Sequence, residues 1–237
     1  MNDASTRPSA SEGGAEPRRR SDSGATTGRH WSTVIVIAKR PVPGRVKTRL
    51  TPPFSPEQAA ALAAAALHDT LAAADAVPAA RHVLLFDGDP SGWVPAGWDV
   101  VEQVEGDLDV RLTAGFVAVA GGGSAVLVGM DTPQVTAADL PPLAAGVDAC
   151  LGLATDGGFW ALGLADPARA AAVIPDVPMS TDRTGVEQHR RLRAAGMTVT
   201  DLGVLTDVDD ETTARAVAAA APGSRFADEL LTITAQR

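Results

Sequence analysis

Five cations crowd one short stretch of this chain. Lys39, Arg40, Arg45, Lys47 and Arg49 fall within eleven residues, and Lys39 and Lys47 are the only lysines of the sequence. Charges packed so closely repel one another unless an anion lies among them. The stretch therefore reads either as a cradle for phosphate groups or as a solvated basic loop. Three acidic places complement it. In Gly129-Met130-Asp131-Thr132-Pro133 a carboxylate sits at the tip of the apolar run Ala125–Val128, where it needs a partner, commonly a cation or a metal. Asp156-Gly157-Gly158 joins a carboxylate to two glycines, which either admit a ligand close to the backbone or turn a hairpin. Asp207 and Asp209 are spaced i, i+2, so an extended segment points both the same way. The alternative for that pair is capping of the helix that begins near Glu211, since acidic residues favour a helix N-terminus.

Secondary structure must bring these groups together. Thr33–Ala38 is a β-branched, apolar run that reads as a buried strand, and Pro41, Pro43 and Gly44 forbid its continuation as strand or helix. The cations thus sit in a loop beyond a strand's carboxyl end, where open α/β sheets bind ligands. With the loop facing solvent, loss of Lys47 is expected to weaken phosphate binding and leave stability unchanged. Ser55-Pro56-Glu57-Gln58 starts a helix, with Ser55 as cap and Gln58 closing a capping box, and this Ala-rich helix runs to about Ala76. His68 lies on it, in a surface or packing role rather than a catalytic one.

Further strands are predicted at 81–86, 98–103, 125–129, 149–154, 159–164 and 197–200. Helices are expected after Asp107, near 137–143, from Ser180-Thr181 through Arg193, at 211–220 and at about 226–231. Strands alternating with helices predict a three-layer α/β/α sandwich around a mostly parallel sheet. No GxGxxG follows the first strand and no GxxxxGK[ST] occurs, which speaks against a dinucleotide-binding dehydrogenase and a P-loop enzyme.

Composition narrows the class. Apolar residues make up 45% and charged residues 21% of 237, as in a globular protein. The net charge is −9, of which residues 1–30 carry +1 and the rest −10. An acidic body lacks the broad basic face that nucleic-acid binding needs, and it sets off the one basic loop. Cys150 is the only cysteine and lies in an apolar run, so it is expected as buried filler in a reducing compartment. No stretch approaches the roughly 18 apolar residues of a membrane span, and no apolar segment follows Arg18-Arg19-Arg20 as an export signal would require, so the expected location is the cytoplasm. Residues 1–30, rich in Ser, Gly, Pro and Arg, are expected to be a disordered tail, leaving 31–237 as a single domain.

The run Ala38-Lys39-Arg40-Pro41-Val42-Pro43-Gly44-Arg45-Val46-Lys47-Thr48-Arg49-Leu50 resembles the opening signature of a bacterial family of short proteins with the glycosyltransferase-A fold. Its members are labelled uncharacterised, selenodomain-associated or arsenosugar-type transferases. The resemblance continues through Gly106-Asp107-Leu108, Gly129–Pro133, Asp156–Trp160, Ser180-Thr181 and Asp207-Val208-Asp209. It implies membership of the nucleotide-diphospho-sugar transferase superfamily, with similarity to phospholactate guanylyltransferases. It also implies phosphate binding by Lys39, Pro43, Gly44, Arg45, Lys47 and Arg49, and Mg²⁺ or Mn²⁺ on Asp131, Asp207 and Asp209. Lys47 and Asp131 would be catalytic, and Asp156, Gly157, Gly158 and Thr181 would form the acceptor pocket. Met130, Met179 and Asp109 depart from the family's pattern.

An all-oxygen ligand set suits Mg²⁺, and a cation with Lys and Arg can neutralise a nucleotide's diphosphate. Three readings follow: glycosyl transfer from a nucleotide-sugar to a small acceptor, nucleotidyl transfer from a triphosphate to a phosphorylated small acid with pyrophosphate release, or nucleotide binding without turnover.

Overall fold

The computed structural model describes residues 1 and 30–235. The tail expected at 1–30 therefore lies, apart from its two ends, outside the described residues. The chain order is β1 (Trp31–Lys39), α1 (Pro56–Asp75), β2 (Ala79–Asp87), β3 (Asp99–Glu102), α2 (Leu108–Val117), β4 (Ala125–Gly129), β5 (Ala149–Leu153), β6 (Phe159–Leu164), the single turn α3 (Ala170–Val173), α4 (Thr184–Ala194), β7 (Val199–Asp201), α5 (Glu211–Ala220) and α6 (Arg225–Ala235). One seven-stranded sheet has the order β3-β2-β1-β4-β6-β5-β7.

The alternation along β1 explains the layers. Val34, Val36 and Ala38 face α1 and join a core with Leu67, Leu71, Leu84, Phe86 and Val126. Ile35 faces the opposite side and packs with Leu85, Leu112, Phe116, Leu127 and Leu192, beneath α2, α3 and α4. A strand covered on both faces is apolar at every position, which is why β1 shows no polar alternation. A third cluster joins α1 to α5 and α6 through Leu62, Ala66, Val217, Phe226 and Leu230. Helix α1 is thus sandwiched between the sheet and two helices. Its alanines let both faces approach closely, so no single apolar stripe stands out in its sequence. The predicted start is present, with Ser55 Oγ accepting from Gln58 N at 3.2 Å and Gln58 Oε1 accepting from Ser55 N at 2.9 Å.

The sheet is mostly parallel, in four of its six pairings. Strict alternation of strand and helix does not hold. No helix separates β2 from β3, and β5 turns directly into β6, which runs antiparallel to both β4 and β5. The turn at Asp156 is therefore a hairpin. Two helices are shorter than expected: only the 3₁₀ turn Ala137–Asp139 forms before Pro141 and Pro142, and α4 starts at Thr184 rather than at Ser180. The last strand is Val199–Asp201 instead of 197–200, and α6 extends to Ala235.

Cys150 is buried, and burial pushes its thiol up to about 12, so it is an inert packing residue. His68 stacks on Trp93 with ring centroids 5.0 Å apart. No helix among the described residues is long and apolar enough to cross a membrane.

Candidate active site

Strands β1 and β4 are parallel neighbours, so the residues after both emerge at one end of the sheet. Lys39 N donates to the thioether of buried Met130 at 3.5 Å, which holds the two strand ends together. Between them opens a cleft of about 600 Å³. The loop after β1 is pinned rather than loose. Arg40 N donates to Asp87 O at 2.9 Å, Arg45 N to Val42 O at 2.9 Å, and Val46 and Leu50 are buried.

Between those anchors Lys47 takes a left-handed conformation (φ 48°, ψ 40°), ahead of the 3₁₀ turn Thr48–Leu50. That bend turns its side chain inward, where only 10% of it is exposed. Its ammonium donates to the Asp131 carboxylate and to Val208 O. The expectation of a solvent-facing Lys47 is thereby corrected: Pro41, Pro43 and Gly44 shape a loop that folds back across the strand ends. Arg49 pairs with Asp209 at 3.3 Å, and Arg40 pairs with Asp89 at 3.3 Å on the surface. Anions do lie among the cations, and they are the protein's own.

The second acidic segment is brought to Asp131 by backbone ties. The Trp160 indole lies over Gly152, where a Cβ would come within 2.4 Å of the ring, and its Nε1 donates to Gly203 O at 2.9 Å. Leu205 bridges to Ala154, Gln134 Nε2 donates to Thr206 O at 2.7 Å, and Val208 N donates to Asp131 O at 2.9 Å. The cap of α5 is Asp210, whose Oδ1 accepts from Thr213 N at 2.8 Å. Asp207 and Asp209 are thus not needed as caps, and both line the cleft.

Asp207 is the most perturbed group there. Burial pushes its carboxyl up to about 7; the charges of Asp131, Asp156 and Asp209 add to the rise, and Lys47 opposes it. Its Oδ1 is buried without a hydrogen-bond partner. Such a carboxylate lacks a cation.

These residues fit a divalent metal in a specific way. An orphaned carboxylate oxygen beside Asp131 suits a hard cation, and all donors are oxygen. Among the described residues, however, no three acidic, histidine or cysteine side chains stand close enough to hold an ion between them. Mg²⁺ commonly takes one or two carboxylates and completes its shell with water and substrate phosphates. The arrangement matches that mode, not a closed three-carboxylate cage.

Of the residues singled out in the sequence, Lys39, Arg49, Asp131, Asp156, Gly158, Thr181, Asp207 and Asp209 line the cleft, and Lys47 lines a smaller recess beside it. Pro43, Gly44 and Arg45 are exposed and line neither. Asp156 does two things at once: its Oδ1 accepts from Gly158 N at 2.8 Å, shaping the turn, while the residue faces the cleft. Thr181 Oγ1 accepts from Arg183 N at 3.2 Å, a turn that leads into α4. Met130 and Met179 both line the cleft, whereas Asp109 accepts from Asp176 N at 3.1 Å outside it.

Gly157 supports the hairpin from behind. Its φ is +91°, and an added Cβ would lie 2.1 Å from the Asp182 carbonyl oxygen. Gly157→Ala is expected to lower stability by roughly 2 kcal/mol or more, through left-handed strain and the clash. A thermal melt should read this as a drop of at least roughly 4 °C. An unchanged melt would mean that the hairpin does not pack on the Asp182 turn.

Sequence reading assigned no role to Gln103 and Arg111, which line the cleft as well. Their only sequence signal was position: Gln103 at the end of a strand and Arg111 one turn into the next helix.

No curated protein matches the chain. Among solved structures, a protein from Desulfovibrio desulfuricans G20, described as a candidate nucleotide-diphospho-sugar transferase, is similar over 86% of this chain and 96% of its own, at 21% identity and a TM-score of 0.70. A homologue of Rv0371c from Mycobacterium sp. strain JC1 is similar over 80% of this chain and 98% of its own, at 18% identity and a TM-score of 0.50. The first likeness shows the fold: the seven-stranded sheet with helices on both faces matches that of this candidate nucleotide-diphospho-sugar transferase. The profile of a family described as "Uncharacterized protein conserved in bacteria (DUF2064)" matches residues 58–181, a span that holds Gln103, Arg111, Asp131 and Asp156 and more than half of the sequence. On that match the chain belongs to the DUF2064 family.

Proposed function

We propose that this protein is a metal-dependent transferase that takes a nucleotide-sugar as donor and a small molecule as acceptor. One observation carries the reading. Lys39, Lys47 and Arg49 converge with Asp131, Asp207 and Asp209 at the adjoining carboxyl ends of β1 and β4. Cations beside carboxylates at a strand end suit a diphosphate that arrives with a divalent ion. The description of the Desulfovibrio protein supports the same class, and a narrower kinship with arsenosugar-type transferases belongs to this proposal too.

Each residue's part follows from its place. Lys39, Lys47 and Arg49 bind the phosphates, with Lys47 exchanging its bond to Asp131 for one to a phosphate oxygen. Asp131 and Asp207 would hold Mg²⁺ or Mn²⁺, which when bound neutralises charge building on the leaving diphosphate. Asp209 keeps Arg49 at the rim. Asp156, Gly157, Gly158 and Thr181 form the acceptor side, with Gly157 acting through the turn it supports.

The test is a binding screen of nucleotide-sugars and nucleoside triphosphates with and without Mn²⁺, on the native protein and Asp131→Asn. Asparagine keeps a carbonyl oxygen for Lys47, so the variant is expected to fold. Lacking the charge, it should lose the metal-dependent increment in nucleotide affinity. Undiminished metal dependence would mean that Asp131 is structural. Products then separate the chemistries: a nucleoside diphosphate marks glycosyl transfer, pyrophosphate marks nucleotidyl transfer, and tight binding without either marks a binding module.

A further inference from the structure

Lys47 holds one of the two carboxylates assigned above to the metal. Its ammonium donates to Asp131 and to Val208 O, and Val208 N donates in turn to Asp131 O at 2.9 Å. One mostly buried cation thus ties the loop after β1 to both acidic segments. The backbone keeps it there. Leu50 N donates to Lys47 O at 2.9 Å across the left-handed bend, and Val46 and Leu50 on either side are buried. Asp207, by contrast, has a buried Oδ1 without a partner. Of the two carboxylates, one is occupied and one is open.

A divalent ion arriving alone meets two penalties. It must take Asp131 from Lys47, and the displaced ammonium, only 10% exposed, is left short of an anion. The ion's two charges and the retained lysine also repel each other at close range, an energy that counts even in water. A polyphosphate removes both penalties. Lys47 lines a recess of about 200 Å³ together with Lys39, Thr48 and Arg49. Asp131 and Asp209 line both that recess and the larger cleft, whereas Asp207 lines only the cleft. Asp131 is therefore a partition. A cation shared with Asp207 lies on its cleft side, and phosphate oxygens in the recess meet Lys47 on the other. Lys39, exposed and without an ion pair among the described residues, is free to meet them too.

We propose that Lys47 serves the free protein as a tethered substitute for the metal, so that the site refuses a lone divalent cation and admits one only as its chelate with a di- or triphosphate. This rests on the transferase reading above and adds a control to it. The phosphates draw Lys47 off Asp131 in the same event that brings the ion there, so ion and phosphate each raise the affinity for the other. A substitution of Lys47 then acts with opposite signs on the two ligands. It tightens the free ion and weakens the chelate.

The test titrates free Mn²⁺, and then Mn²⁺ mixed with equimolar tripolyphosphate, into the full chain by calorimetry. The native protein is expected to bind the chelate, and the free ion at least roughly tenfold more weakly. Lys47→Met, which keeps the side chain's length, should bind free Mn²⁺ at least roughly tenfold tighter than native and the chelate roughly tenfold to a hundredfold more weakly. Lys47→Arg keeps the charge and should hold free Mn²⁺ near its native affinity. A measurement on the native protein carries the test if these variants do not fold. Lys39 and Lys47 are the only lysines, so carbon-labelled lysine gives one side-chain NMR signal for each, told apart by Lys39→Arg. The Lys47 signal should move with Mg²⁺ and tripolyphosphate together, and stay in place with the same concentration of Mg²⁺ alone. The inference is overturned if native protein binds the free ion as tightly as the chelate, or if Lys47→Met fails to tighten the one or to weaken the other. It is equally overturned if Lys47→Arg tightens free Mn²⁺ as much as methionine does, or if Mg²⁺ alone moves the Lys47 signal. Failure of the native protein to bind the chelate at all would instead overturn the transferase reading.

Discussion

Asp207→Asn is expected to stabilise the metal-free protein at pH 8 and, in the same molecule, to abolish metal-dependent nucleotide binding. The sign follows from the direction of the shift. The Asp207 carboxyl stands at about 7 in the folded protein against an ordinary 3.8. Below the ordinary value both folded and unfolded chains hold the proton, and the group contributes nothing. As pH rises toward 7 the unfolded chain gives up its proton while the folded one keeps it, so stability falls. Above 7 both are ionised and the full cost of burying that charge beside Asp131 and Asp156 is present.

A shift of this size corresponds to a cost on the order of 2–4 kcal/mol. Asparagine never ionises, so at pH 8 in EDTA the variant should melt roughly 5–10 °C above the native protein, and at pH 4 the two should melt together. Calorimetric melts at pH 4, 6 and 8 read this directly. A variant that melts lower than native at pH 8 would show that the carboxylate has a partner in the protein after all. The loss of metal-dependent binding completes the argument: a group that destabilises the free protein and serves a ligand is a binding residue.

Lys47→Ala should lower both stability and affinity. The ammonium is mostly buried and bonds to Asp131 and Val208 O. Its removal leaves that carbonyl unpaired and the acidic cluster less neutralised. Asp131 is half exposed and can recover water, which limits the cost to roughly 1–3 kcal/mol. A melt should read a loss of roughly 3–10 °C. The charge-assisted phosphate contact is worth about 1.5–3 kcal/mol, so nucleotide affinity should fall roughly tenfold to a hundredfold. Arg45→Ala is the comparison, because Arg45 is exposed and off the cleft and should change neither quantity much. Unchanged nucleotide affinity in Lys47→Ala would end the phosphate-cradle reading.

Local chemistry was legible in the sequence wherever it depended on neighbouring residues. The β1 run, the broken loop after it, the Ser55 capping box and the apolar β4 ending in Asp131 all follow from side-chain shape and backbone limits acting over a few positions. Asp210 shows the limit of that reasoning. Asp207, Asp209 and Asp210 all precede α5, and only the backbone geometry at the helix start selects which one caps it.

The sequence by itself determined the three-layer class, the burial of Cys150 and the list of charged residues from which a site could be made, because composition and period are properties of the chain. Tertiary structure alone decided which charges meet. Lys47 lies 84 positions from Asp131 and 161 from Val208, and it reaches both because β1 and β4 pair side by side while Val208 N bonds to Asp131 O. The antiparallel insertion of β6 was equally out of reach, since strand direction depends on which neighbour a strand finds in the sheet and not on its own residues. Arg111 and Gln103 stood in plain view as ordinary polar residues. Only the sheet's long-range pairing, which sets Gln103 across the ends of β1 and β2, makes one the holder of the other and leaves a guanidinium facing an acidic protein's cleft without an anion.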